Sequence, residues 1–327
     1  MSPSLQVWAP DGVGEIREGD DLAAHLLGAL PRSFALTEGD IVVVTSKVVA
    51  KAEGRVRVST REAELAGETV RVVARRGATA IVRNRLGLTM AAAGIDASNV
   101  EAGKVVLLPE DPDASARALR ARLAAEAGVA VGVIVTDTAG RAWREGQTDI
   151  AIGAAGVLVA EDYTGRTDAH GNPLLVTAPA VADELAGLAE LATGKLGARP
   201  FAVVRGRADL VLPGQEDGTG AVALIRAEGG DFFGFGAREA VFRALSGDES
   251  DRAPFGAPAS AEEMAEAVIR VSGLETVVET DGLSITAIDP ATAARLGALA
   301  FAYGWRLELD PCDAGDGAEA RLRPGTP

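Results

Sequence analysis

Two hydrophobic periods alternate along the chain and mark out its elements. IVVVTSKVV (41–49) reads as a β-branched strand whose apolar stretch ends at Thr45, Ser46 and Lys47. Residues 61–76 carry Leu65, Val70 and Val73 among charges, which predicts a helix, followed by the strand-like TAIVRN and LTMAAAG. GIDASN (94–99) predicts a polar turn and KVVLLP a strand, with Asp113 or Ser115 capping the Ala/Arg/Leu-rich helix that ends near Gly128. VAVGVIV is a further strand, then comes a polar loop, a second apolar strand at 149–160 and the turn-rich YTGRTDAHGNP. PAVADELAGLAELA (179–192) predicts a helix with Pro179 near its start and Gly194 past its end, and PFAVVRG another strand.

At SGDESDRAPFGAPA the periodicity stops, which predicts a linker. Beyond it Ser260 and Glu263 form a capping box for AEEMAEAVIRV, TVVETDGLSITAI reads as a hairpin turning at Asp281-Gly282, and Asp289 and Pro290 start another helix ahead of the strand WRLELD. The expected organisation is a main domain over 1–245, a linker over 246–259, a small α+β unit over 260–311 and a disordered Gly/Ala/Pro-rich tail over 312–327. The fold class is α/β, in the sense of mixed helices and sheets.

With 327 residues, 47% of them hydrophobic, the chain can bury a sizeable core. A formal charge of −15 disfavours nucleic acid and anionic membranes as partners, and the longest apolar run, the eleven residues Ile150 to Ala160, falls short of the ~18 needed to cross a bilayer. No targeting segment is legible at the N-terminus, so a cytoplasmic location is expected. One cysteine, Cys312, excludes an internal disulfide framework and a thiolate metal cage, and two histidines, His25 and His170, leave little for a histidine-based site; any metal would take oxygen ligands.

Candidate chemistry concentrates in VTDTAGRAWREGQTDIAIGAAG (135–156). Asp137 and Thr138 together offer what Mg2+ or Mn2+ accepts when it also holds phosphates, and Arg141 and Arg144 suit paired hydrogen bonds to phosphate or carboxylate. Ser46, Lys47, Lys51 and Arg55 bring three cations and a hydroxyl to another strand end, which suits a polyphosphate. Asp96 and Asn99 sit in the turn GIDASN. ATGKLG (192–197) fails the P-loop pattern, because Leu196 follows Lys195 and Gly187 lies too far upstream; Gly12 and Gly14 lack the third glycine of a dinucleotide fingerprint. His170 reads as a turn residue. A metal-dependent phosphotransferase on a small anionic acceptor and a non-catalytic nucleotide-binding protein both fit these residues.

VTSKVVAKAEGR, AAAGIDASN, VTDTAGRAWREGQTDIAIGAAG, DYTGRTDAHGNPLLVT, AVADELAGLAELATGKL and AVVRG occur in the order found in the coenzyme F420-0:L-glutamate ligases (F420 γ-glutamyl ligases), which the chain resembles over about residues 13–245. The resemblance implies that family's fold with a small C-terminal appendage, an intertwined homodimer, and GTP, two Mn2+ or Mg2+ sites and K+. It assigns metal ligation to Asp96, Asp137 and Thr138. It assigns GTP contacts to Val13, Gly14, Glu15, Ile16, Ser46, Lys51, Asn99 and the segment Leu191, Ala192, Thr193, Gly194, Lys195, Leu196, Gly197 and Ala198. Asp137, Arg141 and Arg144 are the candidate catalytic residues, and F420-0 or dehydro-F420-0 with L-glutamate the implied substrates. Thr193 departs from the expected pattern, where the family is to carry a glutamine at the second metal. Because every implied substrate is an anion, a chain of −15 must neutralise them with bound cations and clustered Lys and Arg.

Overall fold

The computed structural model describes residues 4–76, 78–227, 230–231, 233–311 and 318–325. They divide into two compact units, one of residues 1–71 and 77–225 and one of residues 72–76 and 226–327. The first contains β1 (Gln6–Trp8), α1 (Leu22–Ala29), β2 (Ile41–Thr45), α2 (Ser46–Ala52), β3 (Val56–Val58) and α3 (Arg61–Glu68). After β4 (Thr69–Arg76), which runs across the division, it continues with β5 (Thr79–Asn84), β6 (Thr89–Ala91), β7 (Lys104–Val106) and α4 (Pro112–Ala127). It closes with β8 (Gly132–Arg141), β9 (Arg144–Ala155), α5 (Val181–Thr193) and β10 (Phe201–Arg205).

Its centre is a five-stranded sheet in the order β1-β10-β2-β8-β9, antiparallel except for the parallel pair β2 and β8. Side chains of a strand alternate between faces, and here both faces are covered. Val42, Val44, Val133, Val135 and Val203 pack with Leu26 of α1 and Leu119 and Leu123 of α4. Ile41, Val43, Ile134, Ala202 and Val204 pack with Val181, Leu185 and Ala189 of α5. Burial on both sides is why IVVV and GVIV are unbroken apolar runs rather than alternating ones. β9 lies at the sheet's edge, and helices from either face satisfy it: Asp183 of α5 accepts from the Ala151 amide at 2.8 Å, and Asp113 of α4 from the Ala154 amide at 2.8 Å. An edge so covered is blunted against pairing with another strand.

Several expectations are corrected in this unit. The helix predicted over 61–76 stops at Glu68, because the β-branched residues of TVRVVARR continue it as β4. The strand predicted over 41–49 ends at Thr45, and Ser46 begins α2. The cap of α4 is Asp111, whose carboxylate accepts from the Ala114 amide; Asp113 is spent on β9 instead. Most consequentially, the polar loop after GVIV does not exist: β8 and β9 form one long hairpin, turning at Ala142 and Trp143, with Trp143 at φ +59°.

The second unit holds α6 (Ala237–Ser246), α7 (Ala261–Ser272), β11 (Val277–Glu279), β12 (Gly282–Ile288), α8 (Pro290–Ala302), β13 (Trp305–Pro311) and β14 (Ala318–Pro324). Its antiparallel sheet runs β11-β12-β14-β13 over a core of Met264, Val268, Leu283, Ile285, Leu296, Trp305 and Leu322. The capping boxes and starts read for α7 and α8 are present, with Ser260 and Glu263 reciprocally bonded and Asp289 accepting from Ala291 and Thr292. The hairpin between β11 and β12 turns at Thr280-Asp281, since Glu279 already pairs with Gly282. The boundary expected at 245 lies at 226, since α6 packs on α8. The stretch 246–259 is no free linker: Pro254 is buried, Phe255 meets Phe235 and Phe301 edge-on at 5.1 and 5.7 Å, and the Ala259 carbonyl accepts from the Trp305 indole. The disordered tail is corrected over 318–324, where Ala320 and Leu322 alternate with charged residues and pair fully with β13; residues 312–317 and 326–327 lie outside the described residues.

Candidate active site

A cavity of roughly 960 Å3 opens in the first unit at the ends of β2 and β8. Val13, Gly14, Glu15 and Ile16 line it, as do Lys51, Asn99 and Thr138. Thr193, Gly194, Lys195, Leu196 and Ala198 complete the wall contributed by the end of α5 and the turn after it. These residues are scattered over the sequence, and the parallel pairing of β2 with β8 is what gathers them: Thr45 stands beside Thr136 in register, so α2 and the polar half of the β8–β9 hairpin leave the sheet side by side. Ser46, Asp96, Asp137, Leu191, Ala192 and Gly197 fall outside the cavity lining, next to residues that belong to it. Arg141 and Arg144 do not reach it. They pair at the exposed tip of the hairpin, where Arg141 donates to the Glu145 carbonyl at 2.7 Å.

Because consecutive strand residues face opposite sides, Asp137 and Thr138 serve different surroundings. Asp137 turns towards α2 and accepts from the Ser46 hydroxyl at 3.1 Å. Lys47, the next residue, ion-pairs with Asp96 at 2.6 Å and donates to Ser98 at 2.7 Å. Asp96 is itself held by an antiparallel bridge to Val106. The two carboxylates from separated segments therefore meet at the first turn of α2. Asp137 keeps some surface open to solvent, yet burial is the largest influence on its carboxyl and, with the charges of Asp149 and Asp96, pushes it up to about 7 against the Ser46 and backbone bonds that favour ionisation. Asp96 moves the other way: burial alone would raise it, but Lys47 and the two bonds from Ser98 hold it below the ordinary carboxylate range.

Thr138 turns to the other side, accepting from the Lys195 ammonium at 3.2 Å and donating to Asp149 at 2.8 Å. Asp149, only 7% exposed and also on the cavity wall, accepts from Thr136 as well. Sequence reasoning passed over this residue, although it lies inside the stretch singled out as chemically dense. Its one sequence signal was a carboxylate just ahead of the apolar run IAIGAA. Thr193, where a glutamine was expected, places its hydroxyl near the Glu190 carboxylate at 3.3 Å, and both line the cavity.

Among the described residues no group of three or more His, Cys, Asp and Glu side chains forms a ready metal cage. The donors are instead sparse and all oxygen: a carboxylate pushed towards protonation first by burial and then by its acidic neighbours, a second carboxylate, and hydroxyls. That set fits a hard divalent ion that keeps water and substrate oxygens in its remaining positions, and a cation there would relieve the crowding of negative charge around Asp137. No helix among the described residues is long and apolar enough to cross a membrane.

The chain matches the F420-0:Gamma-glutamyl ligase family over residues 12–206. It is 41% identical over 222 residues to the coenzyme F420:L-glutamate ligase of Archaeoglobus fulgidus, an alignment covering 62% of this chain and 88% of that one. The proteins of the same name from Methanopyrus kandleri and Halobacterium salinarum are 40% and 37% identical, covering 71% and 75% of this chain and 98% and 94% of theirs.

Proposed function

Since the chain belongs to the F420-0:γ-glutamyl ligase family, we propose that it forms an amide bond between L-glutamate and coenzyme F420-0 or its dehydro precursor, driven by GTP and releasing GDP and phosphate. The observation that carries this reading is that Val13 to Ile16, Lys51, Asn99, Thr138 and the 193–196 turn converge on one cavity. Its volume suits a nucleoside triphosphate together with part of a second ligand.

In this reading a carboxylate oxygen of F420-0 attacks the γ-phosphorus of GTP while the bond to GDP breaks, giving an acyl phosphate. The glutamate nitrogen then attacks the acyl carbon, phosphate leaves, and the nitrogen gives up its proton. Asp96 and Asp137 would hold one divalent ion and Thr138 would help to hold a second, which would offset phosphate charge; K+ would complete the proposed cofactor set. Lys47, Lys51 and Lys195 hold triphosphate oxygens against a chain of net charge −15. Arg141 and Arg144 sit at an exposed hairpin tip, so their catalytic role requires that tip to meet a second chain, as the proposed homodimer allows.

Incubation of the purified protein with GTP, Mn2+, F420-0 and L-glutamate tests the reading by mass spectrometry. A product heavier by one glutamyl residue, with GDP released only when acceptor and glutamate are both present, is expected. GDP release without glutamate would instead mark a phosphotransferase, and nucleotide binding without release a non-catalytic binder.

A further inference from the structure

A threonine hydroxyl has one proton and can donate only once. In Thr138 that proton is committed, because its partner at 2.8 Å, Asp149 Oδ1, is a carboxylate oxygen and the other neighbour, Lys195 Nζ at 3.2 Å, has only protons to offer. Towards the cavity Thr138 can therefore accept and cannot donate. It is polarised to meet a cation and not a phosphate oxygen. Asp149 is in turn locked in rotation, since its second oxygen, Oδ2, accepts from the buried Thr136 hydroxyl at 3.1 Å.

The arrangement depends on a bulge. β8 and β9 pair Val135 with Gly153 but Thr136 with Ala151, so Ile152 is an extra residue and the register shifts by one. Beyond the shift Thr138 stands opposite Asp149. Without it, Thr138 would face Ile150, and the carboxylate would point to the other side of the sheet.

We propose that Asp149 is a positioning residue of the ligase site: by taking the Thr138 proton it turns that hydroxyl into an obligate acceptor for the divalent ion on the α5 side of β8. The inference rests on the proposed metal reading of Thr138 and adds to it the residue that sets the hydroxyl's polarity.

Mn2+ binding to the full-length protein, measured by electron paramagnetic resonance with a non-hydrolysable GTP analogue and no acceptor, tests this apart from turnover. Asp149→Ala is expected to weaken the affected ion about tenfold, the scale of losing an outer partner of a metal ligand. Asp149→Asn, whose amide oxygen can still accept, recovers part of that loss. Thr138→Val weakens the same ion, and adding Asp149→Ala to it costs nothing more. Wild-type Mn2+ binding with an unchanged Asp149→Ala isotherm overturns the inference alone. Losses that multiply in the double variant overturn it too, since Asp149 would then ligate directly; equal losses for Ala and Asn would reduce it to bulk charge. Wild-type protein that takes up no Mn2+ overturns the metal reading itself. Should Asp149→Ala not fold, Thr136→Val, which releases Asp149 Oδ2 and leaves Thr138 intact, carries the test: weaker Mn2+ binding supports the inference and unchanged binding overturns it.

Discussion

The Lys47 ammonium sits 2.6 Å from Asp96 Oδ2, so a protein cation occupies one of the carboxylates proposed for metal. A divalent ion binding there would displace it and free Lys47, a cavity-lining residue, for phosphate. Both partners keep some solvent exposure, and pairs of that kind are worth about 0.2–1 kcal/mol. Lys47→Met is therefore expected to tighten Mn2+ binding to the nucleotide-free protein by roughly 1.5- to 5-fold while raising KM for GTP. Opposite signs in the two measurements are the signature; weaker Mn2+ binding in the variant would show that Lys47 does not compete.

The carboxyl of Asp137, raised by burial to about 7 from an ordinary 3.8, fixes a pH window. Between those values the folded, metal-free protein holds a proton that the unfolded chain has lost. Its stability from this group is thus highest below about 4 and declines as pH rises to about 7. In EDTA the melting temperature should carry this downward component, and Asp137→Asn should lack it. If Asp137 ligates Mn2+, the ion must expel the same proton, so its affinity should climb by up to about tenfold per pH unit below neutrality and level off above it. A flat affinity from pH 5 to 8 would contradict the assignment.

Gly153 stands where β9 bulges, and a methyl group there would meet the Pro112 carbonyl oxygen at 2.3 Å. That oxygen and its carbonyl carbon, at 2.4 Å, are backbone atoms and do not yield cheaply. Gly153→Ala is expected to cost about 1–3 kcal/mol of stability, read from urea unfolding, and to weaken Mn2+ binding in parallel by loosening the register that sets Asp149 opposite Thr138.

The exposed hairpin tip makes a prediction about subunits. If Arg141 and Arg144 act on a second chain's cavity, Asp137→Ala and the Arg141→Ala/Arg144→Ala protein should each be inactive alone. Mixed and allowed to exchange, they should regain activity of roughly a quarter of wild type, because half the dimers are mixed and each mixed dimer keeps one intact site. Absence of complementation, with both variants still dimeric by light scattering, would exclude action across the interface.

Local signals and distant pairings divided the legible from the illegible. The Ser260 and Glu263 capping box, the Asp289 start of α8 and the extent of α5 could be read directly, because each depends on bonds within a turn or two of helix. Asp96, Asp137 and Thr138 are singled out by residue chemistry and by the family resemblance, and the structure brings them to adjoining places. The disordered tail was misjudged because the pairing of residues 318–324 with β13 is specified by a partner strand and not by their own composition.

What the sequence by itself determined about this protein is therefore its set of apolar strands, its capped helices and the residues able to carry the chemistry, all properties of side chains and near neighbours. Tertiary structure alone decided that VTDTAGR is strand rather than loop, that Asp137 and Thr138 serve opposite faces, and that Asp149 stands beside Thr138. The physical reason is register. A one-residue bulge reverses which face every later side chain occupies, and its energy comes from α4, α5 and β8 packing around β9, contacts that no window of the chain contains.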